Sequence, residues 1–157
     1  MAVLARDIAL AKVITVEPTL AASDLERLFE RERISGVPVV ENGRLVGVVS
    51  RADIARAIAT AEDEARALLD YYGEIAGASS SSDERARLAG QNIESFCVRD
   101  LMSNRLVTVP PEQAVREVAQ ALTKHRIHRV LVAADGRLIG VISSLDLVQL
   151  IADGRLK

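Results

Sequence analysis

The sequence contains the same pattern twice. Residues 5–58 align over residues 98–151 without a gap, and about a third of the aligned positions are identical. The identical pairs include charged and polar residues, glycines and prolines: Arg6/Arg99, Asp7/Asp100, Thr15/Thr108, Pro18/Pro111, Gly43/Gly136, Gly47/Gly140, Ser50/Ser143 and Asp53/Asp146. A repeat at a fixed offset constrains the architecture of a chain more than any other feature, and two copies indicate a pseudo-twofold pair because a solenoid needs three or more.

The length of the chain fits one compact domain or two small ones. Of its 157 residues, 49 % are hydrophobic and 27 % are charged, as in soluble globular proteins. Each repeat alone is near the lower size limit for an independently stable domain, so we expect the two copies to share one core. We divide the chain into a first repeat at 5–58, an insert at 59–97 and a second repeat at 98–151.

Charge and the N-terminal residues exclude several classes of function. The net charge is −2 and the isoelectric point is about 5.7, so no basic field is available to attract a nucleic acid. The apolar N-terminus is interrupted by Arg6, Asp7 and Lys12, which is unlike a signal peptide or a membrane span. We predict a cytoplasmic protein that binds neither nucleic acid nor membrane.

The sequence offers no clear metal-binding or catalytic set. Cys97 is the only cysteine, and a buried structural thiol is the favoured interpretation over a reactive one. His125 and His128 are the only histidines, and neither has a nearby set of cysteines or carboxylates to complete a metal site. We therefore predict no metal, no catalytic residues and no enzymatic activity.

Each repeat is predicted to contain a short strand, a helix, a β-hairpin and a second helix, which gives an α/β fold class. The predicted strands are 13–16 and 106–109, and the predicted first helices are 21–33 and 114–126. The hairpins are 37–49 and 130–142, with turns at Asn42-Gly43 and Asp135-Gly136. The second helices are 52–72 and 145–153.

The insert continues the second helix of the first repeat and is expected to end at Gly73 and Gly77. The serine tract 79–82 is the best candidate for a mobile loop, and Asp83 is a candidate helix cap. The apolar face of the extended helix could form a dimer or partner surface, or it could pack on its own repeat.

A Ser-x-x-Asp motif precedes the second helix in both repeats, at Ser50/Asp53 and at Ser143/Asp146. The spacing is that of a capping box, in which serine and acid satisfy backbone N–H groups at a helix start. A helix N-terminus also binds phosphate, and a carboxylate can accept hydrogen bonds from the two hydroxyls of a ribose. Gly47 and Gly140 lie within the preceding strands and indicate a bulge or a close approach, for example by a ligand. Spacing alone leaves the capping and binding interpretations open.

The repeated Gly-h-h-Ser-x-x-Asp ending, the run Ile-Ser-Gly-Val-Pro-Val-Val at 34–40 and Asp-Leu-Met at 100–102 resemble a pair of CBS domains, named for cystathionine β-synthase. The resemblance covers both repeats but not the insert. It implies two pseudo-symmetric repeats packed as one module. It also implies clefts for adenosyl ligands such as AMP, ADP, ATP or S-adenosylmethionine, and a tendency to form homodimers.

The resemblance also assigns roles to individual residues. Asp53 and Asp146 would bind ribose hydroxyls, and Ser50 and Ser143 would contact ribose or phosphate. The remaining assigned residues would line the clefts or lie along the adenine: Thr15, Thr108, Gly36, Val37 and Pro38.

The second repeat departs from this pattern. Arg129, Leu131 and His128 stand where the first repeat has Gly36, Pro38 and Ser35. Arg129 could narrow the base pocket or bind a phosphate, so the two clefts are expected to be unequal. Arg51 follows Ser50 in the first repeat only, and a solvated surface charge is the simpler interpretation for both arginines.

The leading hypothesis is a non-catalytic regulatory module that binds an adenine nucleotide or another adenosyl ligand and signals to a separate, unknown effector protein. No effector domain is evident in the sequence. The alternative is an oligomerisation or protein-interaction module whose clefts remain empty and whose Ser-x-x-Asp motifs are caps alone.

Overall fold

A computed structural model describes residues 2–76 and 94–156. The expectations for the serine tract 79–82 and for Asp83 lie outside the described residues. The chain divides into two compact units. Unit 1 comprises Met1–Thr15, Val40–Val46 and Arg105–Lys157, and unit 2 comprises Val16–Val39 and Gly47–Asn104.

Unit 2 is built around the hairpin of the first repeat. Its helices are α1 (Ala22–Glu32), α2 (Arg51–Ala76) and α3 (Val98–Leu101). It also contains β1 (Gly36–Glu41) as far as Val39 and β2 (Arg44–Ser50) from Gly47 onward. An isolated parallel bridge joins Val16 to Val39, and an antiparallel bridge joins Ser103 to Val48. The sheet is therefore extended on both sides. Its core contains Leu25, Phe29, Val39, Val49 and Val98, each at most 1 % exposed.

Unit 1 has the same layout. After a single 3₁₀ turn at Ala5–Asp7 it contains β3 (Thr108–Val109), α4 (Val115–His125), β4 (Arg129–Ala134), β5 (Arg137–Ser143) and α5 (Ser144–Ala152). The sheet order is β3-β4-β5, with β3 parallel and β5 antiparallel to β4. Leu10 bridges to Val141 in β5. The core consists of apolar side chains from all of these segments, including Ala5, Val118, Val130, Val132 and Ile142.

The two hairpin turns confirm the prediction from Asn-Gly and Asp-Gly. Asn42 and Gly43 have φ angles of 52° and 77°, and Asp135 and Gly136 have 52° and 75°. Two successive residues with positive φ are what a type I′ turn requires, and glycine takes the second position without a Cβ penalty. The N–H of Leu45 donates to the carbonyl of Gly136 at 2.9 Å, so the tip of the first hairpin belongs to unit 1.

The segments that lead into the two sequence repeats are exchanged between the repeats. The N–H groups of Ala5 and Arg6 donate to the carbonyls of Gln113 and Pro111, at 2.8 and 3.0 Å. At the matching positions, Val98 and Arg99 donate to Leu20 and Pro18, at 2.8 and 2.9 Å. Each lead-in therefore packs on the body of the other sequence repeat.

The aspartates of the two lead-ins act as caps, which accounts for the identical pair Asp7/Asp100. An oxygen of each carboxylate accepts the N–H of a residue three positions earlier, Leu4 or Cys97, at 2.9 Å in both cases. The half-buried Cys97 thiol also donates to Asp100, at 3.3 Å. These contacts lower the pKa of Asp100. The largest cause is the hydrogen bond from the Cys97 N–H, followed by that from its thiol. Burial opposes the shift, and the charge of Arg99 adds a weaker lowering effect.

At the glycines within the hairpin strands another segment of backbone approaches closely. This confirms the close approach that was predicted as one of two alternatives. A Cβ at Gly47 would lie 2.9 Å from the Ser103 carbonyl oxygen and 2.9 Å from the Met102 sulfur. A Cβ at Gly140 would lie 2.8 Å from the carbonyl oxygen of Leu10. The β4–β5 register also shifts beside Gly140, between Val132 and Ala133. The backbone that approaches each glycine belongs to an exchanged lead-in.

Several element boundaries differ from the predictions. Of 13–16, only Val16 makes a bridge, and the strand in 106–109 is limited to Thr108–Val109. It ends where predicted because Pro110 has no N–H to continue the ladder. Helix α2 passes through Gly73 and continues to Ala76. One glycine costs a helix interior about 1 kcal/mol, which is too little to end a long helix. No helix within residues 2–76 and 94–156 is both long and apolar enough to cross a membrane.

Candidate functional site

The Ser-x-x-Asp motif of unit 1 forms a complete capping box at the start of α5. Ser143 has extended backbone angles (φ −98°, ψ 161°), and its hydroxyl accepts the N–H of Asp146 at 3.2 Å. In return, Oδ2 of Asp146 accepts the Ser143 N–H at 2.6 Å and the Ser143 hydroxyl at 2.7 Å. The predicted capping role is therefore confirmed for this repeat. A serine cap of this kind typically contributes about 1 kcal/mol to stability.

The motif of unit 2 repeats this geometry at the start of α2. Oδ2 of Asp53 accepts the N–H and the hydroxyl of Ser50, at 2.7 and 2.9 Å. The reverse bond, from the Asp53 N–H to the Ser50 hydroxyl, is longer at 3.4 Å. Both repeats thus use one carboxylate oxygen for the cap, which leaves Oδ1 as the oxygen that can bind another group.

The two Oδ1 atoms differ. Oδ1 of Asp53 accepts a hydrogen bond from Nη2 of Arg56, one turn along α2. At the position matching Arg56, α5 has Gln149, whose amide donates to Asp153 at 2.8 Å. Oδ1 of Asp146 has no partner in the part of the chain that the structure describes. Sequence reasoning missed Arg56, although an acid and a base three residues apart on a helix are a recognisable ion-pair spacing.

The residue beside each serine also differs between the repeats. A Cβ at Gly36 would lie 3.7 Å from the Cβ of Ser50, so Gly36 leaves the space beside this serine open. In unit 1 the corresponding residue is Arg129, which is paired with Ser143 in the β4–β5 register. The Arg129 side chain is exposed, and its guanidinium makes no hydrogen bond or ion pair with another described residue. A free guanidinium next to a helix N-terminus is suited to an anion.

Arg51 is held within unit 2. Its Nε donates to the carbonyl of Ile34 at 3.2 Å, and its guanidinium carbon lies 5.7 Å from the centre of the Phe29 ring. Both contacts keep this cation on its own unit and stabilise it against the ring face. This arrangement agrees with the interpretation of Arg51 as a surface charge.

The other predicted site residues are placed as follows. In unit 2, Val37 is 4 % exposed and Pro38 is buried, so both contribute to the interior of the unit. Thr15 and Thr108 are exposed members of unit 1, and Thr108 is paired with Leu131. The structure brings Gly36, Ser50 and Asp53 together in unit 2. It brings Arg129, Ser143 and Asp146 together in unit 1.

A metal centre finds no support among the described residues, where no three His, Cys, Asp or Glu side chains are grouped to hold an ion. Both His125 and His128 are exposed.

Comparison with known proteins identifies the repeat. The family model for the CBS domain matches residues 5–60 and again residues 98–153, which together make up most of the chain. The chain belongs to the CBS domain family. The uncharacterized protein MJ1426 of Methanocaldococcus jannaschii is 30 % identical over 131 residues, which cover 80 % of this chain and 78 % of that protein. The uncharacterized protein MJ1232 of the same organism is 23 % identical, and there the match spans only 38 % of the relative.

Solved structures of CBS domain pairs share the fold. The CBS domain pair of protein MJ0100, crystallised with 5′-methylthioadenosine and S-adenosyl-L-methionine, has a TM-score of 0.67 and 22 % identity, and the match covers 98 % of this chain and 99 % of that one. CBSX2 in complex with AMP has a TM-score of 0.69 and 21 % identity, with 98 % of both chains covered. The chain is thus an α/β protein with two CBS repeats.

Proposed function

We propose that this CBS pair is a non-catalytic regulatory module that binds an adenosyl ligand at its Ser-x-x-Asp motifs. The observation that carries the proposal is the geometry of Asp146, whose Oδ2 is fixed by the cap while Oδ1 is free to accept a ribose hydroxyl. The adenosyl ligands of the MJ0100 and CBSX2 structures support the chemical class. AMP, ADP, ATP and S-adenosylmethionine are the candidate ligands.

Each motif offers a defined set of contacts to such a ligand. The carboxylate accepts hydrogen bonds from the ribose, and the serine hydroxyl lies beside it at the helix start, where the helix dipole favours phosphate. In unit 1 the guanidinium of Arg129 adds a positive charge next to Ser143. Each motif would thus bind the ribose and phosphate of the ligand. The base would contact the strand backbone around Gly36 and Val37, or its counterpart in β4.

The regulatory output follows from differential affinity. A ligand that binds one conformation of the pair more tightly than another shifts the population toward it by that difference in free energy. We propose that a separate effector protein responds to this change.

Binding is tested by thermal unfolding in the presence of AMP, ADP, ATP, S-adenosylmethionine and NAD. A ligand at 100 times its Kd stabilises the folded state by about 2.7 kcal/mol, so the melting temperature rises by several degrees. Asp146→Asn is expected to remove the part of this rise that comes from the second repeat, because the amide nitrogen cannot accept a hydrogen bond from a ribose hydroxyl. Asp24→Asn is the matched control, since Asp24 lies on the exposed side of α1 and, among the described residues, its side chain pairs with Arg27 alone. No rise with any compound contradicts the proposal.

A second candidate function is self-association through α5. Leu145, Val148 and Ile151 lie one turn apart on this helix and are 72, 58 and 63 % exposed. An apolar stripe of this size on a helix that already buries Leu147 and Leu150 favours a protein partner, and we propose a second copy of the chain.

Sedimentation velocity of Val148→Glu tests this assignment. We expect the dimer to dissociate at least tenfold more readily, because a carboxylate would have to be desolvated in the interface. Gln120→Glu adds the same charge on the exposed side of α4 and should leave the dimer unchanged. A wild-type chain that sediments as a monomer, or a Val148→Glu variant that dimerises normally, contradicts the assignment.

A further inference from the structure

We infer that the two Ser-x-x-Asp motifs are functionally unequal: the second repeat takes the first equivalent of ligand and prefers a phosphate, while Arg56 acts as an internal competitor at the first. This inference rests on the proposed function and assigns the order of occupancy and the specificity of the same sites. It follows from two differences between the otherwise matching units.

The first difference is at the carboxylates. In both units Oδ2 is used by the cap, so a ribose hydroxyl has to bind at Oδ1. At Asp53 that oxygen already accepts from Arg56, and the Asp53 side chain is only 12 % exposed. A ligand must therefore displace the guanidinium in unit 2, whereas at Asp146 it displaces only water.

The cost of this displacement is modest. The Arg56 side chain is 71 % exposed, so the ion pair is screened by solvent and contributes little to stability. Pairs of this type correspond to about a two- to fivefold change in an equilibrium constant. Arg56 is therefore expected to weaken the first site by this factor without abolishing it.

The second difference is the nearby cation. Arg129 is in register with Ser143 and is free among the residues described. The matching Gly36 has no side chain, and Arg51, the nearest alternative in unit 2, is engaged by Ile34 and Phe29. A phosphate at the second repeat therefore gains a charge-assisted hydrogen bond that the first repeat does not supply. The second repeat should therefore discriminate AMP from adenosine more strongly than the first.

Reciprocal substitutions on the full chain test the inference by calorimetric titration with AMP and with adenosine. Arg56→Gln is expected to tighten the weaker site two- to fivefold. Gln149→Arg places the competitor in α5 and is expected to weaken the tighter site by a similar factor. It is combined with Asp153→Asn, because Asp153 accepts from Gln149 and would otherwise capture the introduced guanidinium. Asp153→Asn alone is the control.

Arg129→Gly is the third variant, and it should reduce the preference of the tighter site for AMP over adenosine to that of the first repeat. Two results would overturn the inference while the proposed function stands. In the first, Asp53→Asn removes the tighter site; in the second, the reciprocal substitutions leave both affinities unchanged. Absence of binding by either compound overturns both.

Discussion

Alanine at Gly140 or Gly47 is expected to lower the free energy of unfolding by about 1–3 kcal/mol, as measured by urea denaturation. The added Cβ at Gly140 would meet the carbonyl oxygen of Leu10 at 2.8 Å and the Cβ of Ala9 at 2.9 Å. Neither contact can be relieved by rotating a side chain. The lead-in must move away, and its paired bonds with Val141, at 2.9 and 3.2 Å, would be lost. At Gly47 the same displacement applies to Ser103.

Gly36→Ala is the control for both glycines. Its Cβ would lie no closer than 3.4 Å to any atom, which is an ordinary contact, and the second repeat carries Arg129 at this position. We expect a change within about 0.5 kcal/mol, as for most surface substitutions. Equal stabilities for Gly36→Ala and Gly140→Ala would show that the lead-in does not pack closely on β5.

Phe29→Ala is expected to cost about 3–5 kcal/mol of unfolding free energy, the largest effect of any substitution proposed for this chain. The Phe29 side chain is fully buried and is the largest of the side chains so enclosed. Alanine would leave a cavity between α1 and the sheet of unit 2. Because small domains are stable by only about 5–15 kcal/mol, the variant should lose a large part of its free energy of unfolding.

Phe29→Leu provides the comparison, because Leu122 occupies the matching position in α4 and is 5 % exposed. Leucine preserves an apolar side chain of similar size, so the loss should stay below about 1.5 kcal/mol. The same variant removes the ring that lies near Arg51. Losses of equal size for alanine and leucine would mean that the cavity is not the main cost.

The sequence predicts most of the secondary structure because the repeat doubles every signal. The first helices, expected at 21–33 and 114–126, are observed at Ala22–Glu32 and Val115–His125. The hairpin turns are equally well predicted, since Asn-Gly and Asp-Gly favour positive φ at both turn positions. These signals are local, and each is present in both copies.

The exchange of the lead-ins could not be predicted in this way. The alignment of 5–58 with 98–151 is the same whether Ala5 packs on its own repeat or on the other, because the two bodies are alike. Only the long-range hydrogen bonds distinguish the two arrangements. The close approach at Gly47 and Gly140 was predicted, but the segment that makes it could not be identified from the sequence.

The candidate site was predicted in part. The Ser-x-x-Asp spacing identifies both caps, and the structure confirms their geometry. The difference between Asp53 and Asp146 was missed, because it depends on which rotamer Arg56 adopts and on Gln149 bonding to Asp153 instead. Such choices between neighbouring partners are set by side-chain geometry and leave no periodic pattern in a sequence.

The reciprocal lead-ins carry a record of ancestry. A forebear with one copy of the repeat could have completed its sheet edge only by lending its first residues to a twin and receiving the twin's in return. Gene duplication and fusion would then have joined two interlaced partners into a single polypeptide. On this account the glycine facing each lead-in is required in both copies, and both copies have it, whereas Gly36 and Arg129 differ.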